Sequence, residues 1–262
     1  MNKDDLYTAR WYAKELKAES AEGSRTEHLS TGLLDHLNNM IENQDKIPAE
    51  PERPSVTARP TIYSTPIKVK TRGNYKTPSG LPKGLIVHFT ASRNDAENVL
   101  RYLGSEGLGC MVMDREGNII KSQDQGLNEV AYHAGRSTGP RGETGMSFYC
   151  MGMEIISAGN LTKKQGKYYS WFNLEIDASE VRESTRDNAN QKAGAYHVFT
   201  DAQEKSLIEF LKWQIRTNPE FDVEYVLGHD EVSPGRKVDP GFSLSMSMPD
   251  LRKILREYKA NL

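Results

Sequence analysis

The stretch GHDEVSPGRKVDPG, residues 228–241, places a histidine, a lysine and an aspartate in a loop bounded by glycine and proline. His229 and Asp239 are residue types that bind metals well, yet Lys237 lies two residues before the aspartate. A fixed positive charge beside a metal ion should repel it. Residues two apart in an extended segment lie on the same side. We therefore expect Lys237 and Asp239 to lie on the same side of this segment.

The sequence around this stretch predicts a mixed α/β fold. Short apolar runs bounded by turn residues predict four strand regions: GLIVHF (84–89), a hairpin in CMVMDREGNII (110–120), SFYCMGMEIIS (147–157) and VEYVLG (223–228). Helical spacing of apolar residues predicts three helices: NDAENVLRYLGS (94–105), TDAQEKSLIEFLKWQIR (200–216) and MPDLRKILREY (248–258). Asn94 or Asp95 would cap the first helix, and Thr200 with Gln203 would form a capping box on the second.

A second histidine, His88, ends the apolar strand in IVHFTAS (86–92), at the rim of the predicted sheet. Alone, a histidine in this position is typical of a structural side chain. Together with His229 and Asp239, it completes two histidines and one carboxylate, and three such ligands with a fourth position open are typical of catalytic zinc. From residue chemistry alone, the metal site and the structural reading both remain open.

Glu154 lies in a mostly apolar predicted strand. Side-chain alternation would place it on one face with Phe148, Cys150 and Gly152. A carboxylate there is costly unless it is paired or functional. Either it forms an ion pair with an arginine, or it serves as a general base beside a metal.

The charge distribution divides the chain into three parts. Residues 1–50 carry six Lys or Arg and ten Asp or Glu, whereas residues 51–83 carry seven and one, with six prolines. We predict a helical N-terminal extension over 1–47, with helices at about 3–19 and 30–44, then a Pro-rich basic linker over 48–83 and a catalytic domain over 84–262. His28 and His36 in the extension are expected to be solvated, and His197 in the third part to be structural.

The composition also bounds where the protein acts. The formal net charge of −2 does not favour nucleic acid or membrane surfaces as partners. The N-terminus shows no apolar leader, and no apolar run reaches the ~18 residues of a transmembrane helix, so we expect synthesis in a cytoplasm. Cys110 and Cys150 could form one disulfide or remain free thiols, as is usual in a reducing compartment.

Four motifs, in this order and at these separations, resemble one enzyme family. IVHFTAS, AYHAGRS (131–137), MGMEIISAG (151–159) and GHDEVSPGRKVDPG are similar to segments of zinc-dependent N-acetylmuramoyl-L-alanine amidases, the group that includes phage endolysins and recycling amidases and is similar to peptidoglycan recognition proteins. The resemblance covers about 80–260. It implies a central mixed sheet flanked by helices, with a zinc-containing groove on one side.

The resemblance also implies a role for each matched residue. His88, His229 and Asp239 would bind Zn²⁺, Glu154 would be the general acid/base and Lys237 would stabilise the transition state. His133 would line the substrate groove beside Tyr132, where many relatives have tryptophan. Some phage relatives have cysteine where this chain has Asp239, so the site here would be harder and less selective for zinc.

The resemblance leaves three functions open. The first is an endolysin that cleaves peptidoglycan between N-acetylmuramic acid and L-alanine and reaches the wall after release. The second is a cytosolic amidase that recycles muropeptides. The third is a peptidoglycan-binding protein without catalysis, although such proteins typically lack a zinc ligand that this chain retains. The N-terminal extension would target the enzyme to the wall, dock it to a virion or regulate its activity. A protein partner for the extension is one of these options.

Overall fold

A computed structural model describes residues 61–67, 74–75, 81–123 and 130–262. Thirteen strands run through these residues: β1 (Ile62–Thr65), β2 (Asn74–Tyr75), β3 (Gly84–Phe89), β4 (Met111–Met113), β5 (Ile119–Ser122), β6 (Val130–Ala131), β7 (Cys150–Ile155), β8 (Asn160–Lys164), β9 (Lys167–Tyr169), β10 (Glu175–Ile176), β11 (Val181–Ser184), β12 (Gly194–His197) and β13 (Val226–Gly228). The helices are α1 (Ala96–Ser105), α2 (Asp201–Thr217), α3 (His229–Val232) and α4 (Met248–Ala260). The predicted N-terminal extension, with His28 and His36, lies outside the described residues.

The central sheet has six strands in the order β1-β5-β4-β7-β3-β13. All neighbours are parallel except β4 and β5, which form the predicted hairpin. Asp114 accepts backbone hydrogen bonds from Glu116 and Asn118 in its turn, and Gly117 has a φ of +84°. Such a φ favours glycine. The prediction of a mixed α/β fold with a central mixed sheet is confirmed.

The predicted helices are present, and α1 packs its apolar side chains against the central sheet. α1 buries Leu100 and Leu103 against Val112 of β4, and Asp95 caps it. α2 begins with the predicted capping box of Thr200 and Gln203. α2 packs along α4, which in turn contacts β13. None of the helices in the described part of the chain combines the length and apolar character needed to cross a membrane.

Two strand predictions need correction at their starts. Met146–Phe148 forms a 3₁₀ turn before β7, so Phe148 does not share the face of Cys150, Gly152 and Glu154, and its side chain is 46 % exposed. Likewise, Val223–Tyr225 is a 3₁₀ turn, and only the last three residues of VEYVLG form β13. Apolar runs do not separate a buried turn from a buried strand.

The segment predicted as a linker contributes to the sheet. β1 lies within 48–83 and pairs in parallel with β5 as the edge strand, and β2 pairs with β6. Proline is tolerated at a sheet edge, where one side of the backbone has no partner. The described part of 48–83 is therefore not only an extended connection. The three domain boundaries themselves stay a prediction.

A second sheet of five antiparallel strands, in the order β10-β9-β8-β12-β11, was not predicted from the sequence. Its strands are short, and the burial along β8 is confined to Leu161. The segment β8 to β12 ends at His197, which is fully buried and accepts a hydrogen bond from the Ala158 backbone N–H at its Nδ1, 2.8 Å away. His197 is structural, as expected.

Candidate metal centre and its groove

Three neighbouring parallel strands deliver the site residues at one edge of the central sheet. His88 lies near the carboxyl end of β3, Glu154 is its direct neighbour on β7, and His229 follows β13. Ligand sites form in such sheets outside the carboxyl ends of the strands. The strand register therefore brings together three residues that are far apart in the sequence.

The predicted ligand atoms form a nearly equilateral triangle. His88 Nδ1 lies 2.9 Å from His229 Nδ1 and 3.0 Å from Asp239 Oδ2, and His229 Nδ1 lies 3.0 Å from the same oxygen. All three side chains are buried. The structure thus brings together His88, His229 and Asp239 as a group that could hold a metal ion.

Backbone carbonyl groups determine which ring nitrogens carry protons. The Ala134 carbonyl lies 3.1 Å from His229 Nε2, and a carbonyl can only accept, so His229 is protonated at Nε2. The Cys150 carbonyl lies 2.9 Å from His133 Nε2, which leaves His133 Nδ1 as an acceptor. That nitrogen is 3.0 Å from His88 Nε2, which must donate to it. Both ligand histidines therefore direct an unprotonated Nδ1 into the triangle.

This donor set fits a cation. Two nitrogen lone pairs and a carboxylate oxygen repel each other at 2.9–3.0 Å unless a positive charge lies between them. A tetrahedral zinc site with bonds of about 2.0–2.1 Å separates its ligand atoms by about 3.3 Å, close to the distances found. The residues present thus fit a tetrahedral metal with one open position.

The charge states agree with this fit. Burial, and then the charge on His229, lower the pKa of His88 to about 4, so its imidazole is neutral near pH 7. His88 therefore supplies a neutral imidazole, which is the form that binds a metal.

Glu154 faces this centre without a partner for its Oε2. That oxygen is buried and forms no hydrogen bond among the described residues, and the carboxylate does not form there the ion pair that was the alternative expectation. Burial and then the charge on Asp239 raise the pKa of Glu154 well above its ordinary value, against the opposing effect of Lys237. A carboxyl group with a raised pKa can both accept and donate a proton near neutral pH.

A groove of about 830 Å³ runs over the centre and includes Lys237 in its lining. Lys237 and Asp239 both face the groove, whereas Val238 between them is 37 % exposed and is not among the lining residues described. The alternation expected from the sequence is therefore found. Lys237 therefore lines the groove without belonging to the group that could hold a metal ion.

The two residues predicted to bind substrate are placed differently. His133 is buried at the groove floor and lines it, whereas its half-buried neighbour Tyr132 is not among the described lining residues. Cys110 lies close to His133, and Gly152 makes this approach possible, because a Cβ on Gly152 would fall 2.6 Å from Cys110 Sγ and 2.9 Å from His133 Cγ. Cys110 and Cys150 are both buried free thiols.

One comparison decides the family. A family model described as N-acetylmuramoyl-L-alanine amidase matches residues 77–242. The chain belongs to this family. The match contains all four motifs and every residue of the centre, and it extends over most of the catalytic region expected from the sequence.

Solved amidase structures are similar to this chain at low identity. AmpD is 17% identical, with 76% of this chain and 96% of AmpD covered and a TM-score of 0.43. AmiD from E. coli, in complex with anhydro-N-acetylmuramic acid-L-Ala-D-γ-Glu-L-Lys as substrate, is 22% identical over 66% of this chain and 56% of AmiD, with a TM-score of 0.46. The endolysin LysCS from Clostridium intestinale URNW is 15% identical over 76% and 97%, with a TM-score of 0.46. No curated protein matches the chain in sequence.

The amidase groove has an aromatic wall that sequence reasoning missed. Trp171, Phe172 and Tyr102 line it, and the Trp171 side chain is 75 % exposed. The Trp171 indole is nevertheless held, because its Nε1–H donates to the Ala91 carbonyl at 2.8 Å and its ring meets Phe172 edge-on. Trp171 and Phe172 lie in the segment KYYSWF (167–172), but nothing in that sequence indicates which aromatic rings stay exposed.

Proposed function

We propose that this amidase hydrolyses the amide between N-acetylmuramic acid and L-alanine in peptidoglycan, with Zn²⁺ held by His88, His229 and Asp239. The observation that carries the proposal is the triangle of three unprotonated ligand atoms, next to a buried carboxyl oxygen with no partner. Two nitrogens and one oxygen suit zinc. When bound, Zn²⁺ would supply Lewis-acid polarisation of the amide carbonyl.

Glu154 would move the proton. An amide has a poor leaving group, so the departing nitrogen must gain a proton as the attacking water loses one. The raised pKa of Glu154 lets one carboxyl group perform both transfers in sequence. Its unpartnered Oε2 at the groove floor is free to hold the attacking water in place.

Lys237 would stabilise the charge that develops on the carbonyl oxygen. Its side chain lines the groove on the same side as Asp239, so it is available to an oxyanion that exists only during the reaction. A fixed donor of this kind contributes about 3–4 kcal/mol, or about 10²–10³ in rate. This role explains why a positive charge lies next to the ligands in residues 228–241.

The bond that is cleaved can be read from the products. Zinc-loaded protein is incubated with purified peptidoglycan, and the soluble fragments are analysed by mass spectrometry and amino-group labelling. We expect new L-alanine amino termini in proportion to the lost turbidity. New reducing sugar ends without new amino termini would identify a glycosidase and overturn the proposal, and binding without any product would identify a recognition protein.

We further propose that the preferred substrate is the intact wall, as in an endolysin, rather than a soluble recycled fragment. The support is the long acidic and basic region before residue 84, an appendage that a recycling enzyme does not need. Rates on sacculi and on soluble anhydro-muropeptides separate the two functions. A higher kcat/KM on the soluble fragment would favour recycling.

Removal of the exposed indole should weaken substrate binding without changing the chemistry. Trp171 is held in place before binding, so little conformational entropy is lost when a ligand stacks on it. We expect Trp171→Ala to raise KM on peptidoglycan about 5–30-fold, from about 1–2 kcal/mol of buried ring surface, with kcat within twofold. Steady-state kinetics measure KM and kcat, and the KM of Trp171→Phe should lie between those of the wild type and Trp171→Ala. An unchanged KM would mean that substrate does not reach this wall.

A further inference from the structure

Two consecutive residues, His133 and Ala134, contact both ligand histidines on the side away from the metal position. The His133 ring accepts from His88 Nε2 at 3.0 Å, and the Ala134 carbonyl accepts from His229 Nε2 at 3.1 Å. The two contacts come from one backbone segment, although His88 and His229 belong to different elements. Whatever holds this segment therefore orients both imidazoles together.

The segment is itself firmly held. The Ser147 hydroxyl accepts the backbone N–H groups of both His133 and Ala134, at 3.1 and 2.9 Å. The Arg236 guanidinium donates to the Ala134 carbonyl at 2.8 Å, which fixes the same oxygen that orients His229. Arg236 belongs to the loop that carries Lys237 and Asp239, so the contact ties that loop to the histidine-orienting segment.

His133 has no ring nitrogen left for substrate. Its Nδ1 is used by His88 and its Nε2 donates to the Cys150 carbonyl at 2.9 Å, with the ring perpendicular to that of His88 at an interplanar angle of 89°. A ring without a free donor or acceptor cannot recognise a sugar or peptide through a hydrogen bond. His133 lines the groove, as the family resemblance implies, but its ring nitrogens cannot bond to substrate in this geometry.

We propose that His133 is a positioning residue that sets the tautomer of His88 and raises its metal affinity, through a hydrogen-bonded chain from the Cys150 carbonyl to His133 to His88. This inference rests on the proposed function in so far as His88 binds the metal. The Cys150 carbonyl fixes the proton on His133 Nε2, His133 Nδ1 then accepts from His88 Nε2, and His88 Nδ1 is left unprotonated for the metal. An acceptor behind a ligand histidine increases its basicity and fixes its ring, and its loss typically weakens metal binding about 10–100-fold.

The alternative use of His133 is as a metal ligand, because His88, Cys110 and His133 form a second buried group that could hold a metal ion. That use requires His88 Nε2 to lose the proton that it donates to His133, and Cys110 to ionise although burial raises the pKa of its thiol well above the ordinary value. Two protons would have to leave a buried site. The hydrogen-bonded chain requires neither loss.

Two variants at position 133 test the hydrogen-bonded connection from the Cys150 carbonyl through His133 to His88. His133→Asn keeps an acceptor near the position of Nδ1, whereas His133→Leu removes it at similar volume. Zinc affinity is measured by competition with a chromophoric chelator, on protein whose melting temperature shows that it is folded. We expect His133→Leu to bind Zn²⁺ about 10–100-fold more weakly and His133→Asn to recover most of that loss. Equal affinities of the two variants would overturn the positioning role, because packing alone would then explain the residue.

Kinetics at saturating zinc distinguish positioning from substrate contact. His133→Leu, reloaded with metal, should keep its KM for peptidoglycan within about twofold while losing kcat, and a large rise in KM instead would restore the substrate-binding role. Because the affinity measurement needs no substrate, a failure of the amidase proposal would leave the ranking of zinc affinities intact.

Cys110→Ala is the matched control for the second metal group. It removes the only sulfur of that group while leaving the hydrogen-bonded chain in place. We expect one zinc per chain and unchanged affinity in both the wild type and Cys110→Ala. If the wild type bound two metal ions per protein molecule and Cys110→Ala bound one, His133 would be a ligand of a second metal site. The proposed hydrogen-bonded positioning role would then be overturned.

Discussion

Glu154→Gln should abolish turnover while leaving the zinc content at one per chain. General acid/base groups contribute about 10²–10⁴ in rate, and Glu154 would serve twice in one cycle, so we expect a loss of kcat of at least about 10³-fold. The glutamine amide would have the same shape as the carboxyl group but could not accept the proton of water. The ligand triangle does not include this side chain, so metal binding should survive.

Removal of the charge should not harm the fold. Glu154 Oε2 is buried without a hydrogen-bond partner among the described residues, and the raised pKa of the carboxyl group reflects how strongly the charged form is disfavoured there. A neutral amide avoids that cost, so Glu154→Gln should melt at or above the wild-type temperature. Catalytic residues often lower the stability of the fold, because the reaction needs a group in an environment that disfavours its charge.

Glu209→Gln provides a matched control. Glu209 also has a buried Oε2 without a hydrogen-bond partner in the described part of the chain, but it lies in α2 and is not among the residues lining the groove. Its replacement should leave kcat within about twofold. An active Glu154→Gln enzyme, or an equal loss in both variants, would contradict the role assigned to Glu154.

The sequence predicted the strands that carry the site because their signals are local. GLIVHF is short, apolar and bounded by turn residues, and the observed β3 has the same limits. Asp95 and Thr200 cap their helices because capping depends on a few adjacent residues. The order of these elements predicted the α/β class, although the order of strands within the sheet is set by long-range pairing that no local pattern reveals.

The second sheet was not predicted because its strands lack a clear local sequence signal. β8, β9 and β11 are short and mostly exposed or half-buried, with ion pairs such as Lys163 to Glu183 at the surface, and β12 is buried but has only four residues. These strands therefore lack both a long apolar run and a clear alternation. β1 escaped because proline and basic residues around it favour an extended linker. Its edge position tolerates those residues, but only the parallel pairing with β5 shows that it is a strand.

At the site, residue types were predictable and orientations were not. Two histidines and an aspartate indicated metal chemistry, and the family resemblance assigned the remaining roles. The assignment of His133 to substrate followed from its place in AYHAG, but the ring nitrogens are occupied by His88 and the Cys150 carbonyl. Hydrogen-bond direction depends on distances between strands, and sequence spacing contains no information about them.

Asp239→Asn should have opposite effects on the stability of the metal-free and zinc-loaded protein. Without metal, the carboxylate is buried against two unprotonated imidazole nitrogens at 3.0 Å, which repel it. The asparagine amide removes the charge and can donate to one of these nitrogens. We therefore expect the metal-free variant to be more stable than the metal-free wild type by about 1–3 kcal/mol, the cost of an unsatisfied buried polar group.

With zinc, the ranking should reverse. A ligand that binds only the folded state stabilises it by about 4 kcal/mol at a free concentration of about 1,000 times Kd, so weaker binding lowers the melting temperature at fixed zinc. The neutral amide is a poorer ligand than a carboxylate, and the centre loses its one negative charge. Asp239→Asn should therefore lose most of its zinc-induced shift in melting temperature, and its activity should fall below detection at zinc concentrations that saturate the wild type.

Thermal melts with a chelator measure the stability of the metal-free proteins, and melts with added Zn²⁺ measure the stability of the zinc-loaded proteins. Asp230→Asn serves as the control. Asp230 is also buried, with its Oδ2 accepting from Asn190, but it is not part of the ligand triangle. Its replacement should leave the zinc-induced shift unchanged. If Asp239→Asn instead destabilised the metal-free protein, the carboxylate would be bonded to protonated imidazoles. The triangle would then be a buried ion pair held by protons, and the need for a metal between its three atoms would disappear.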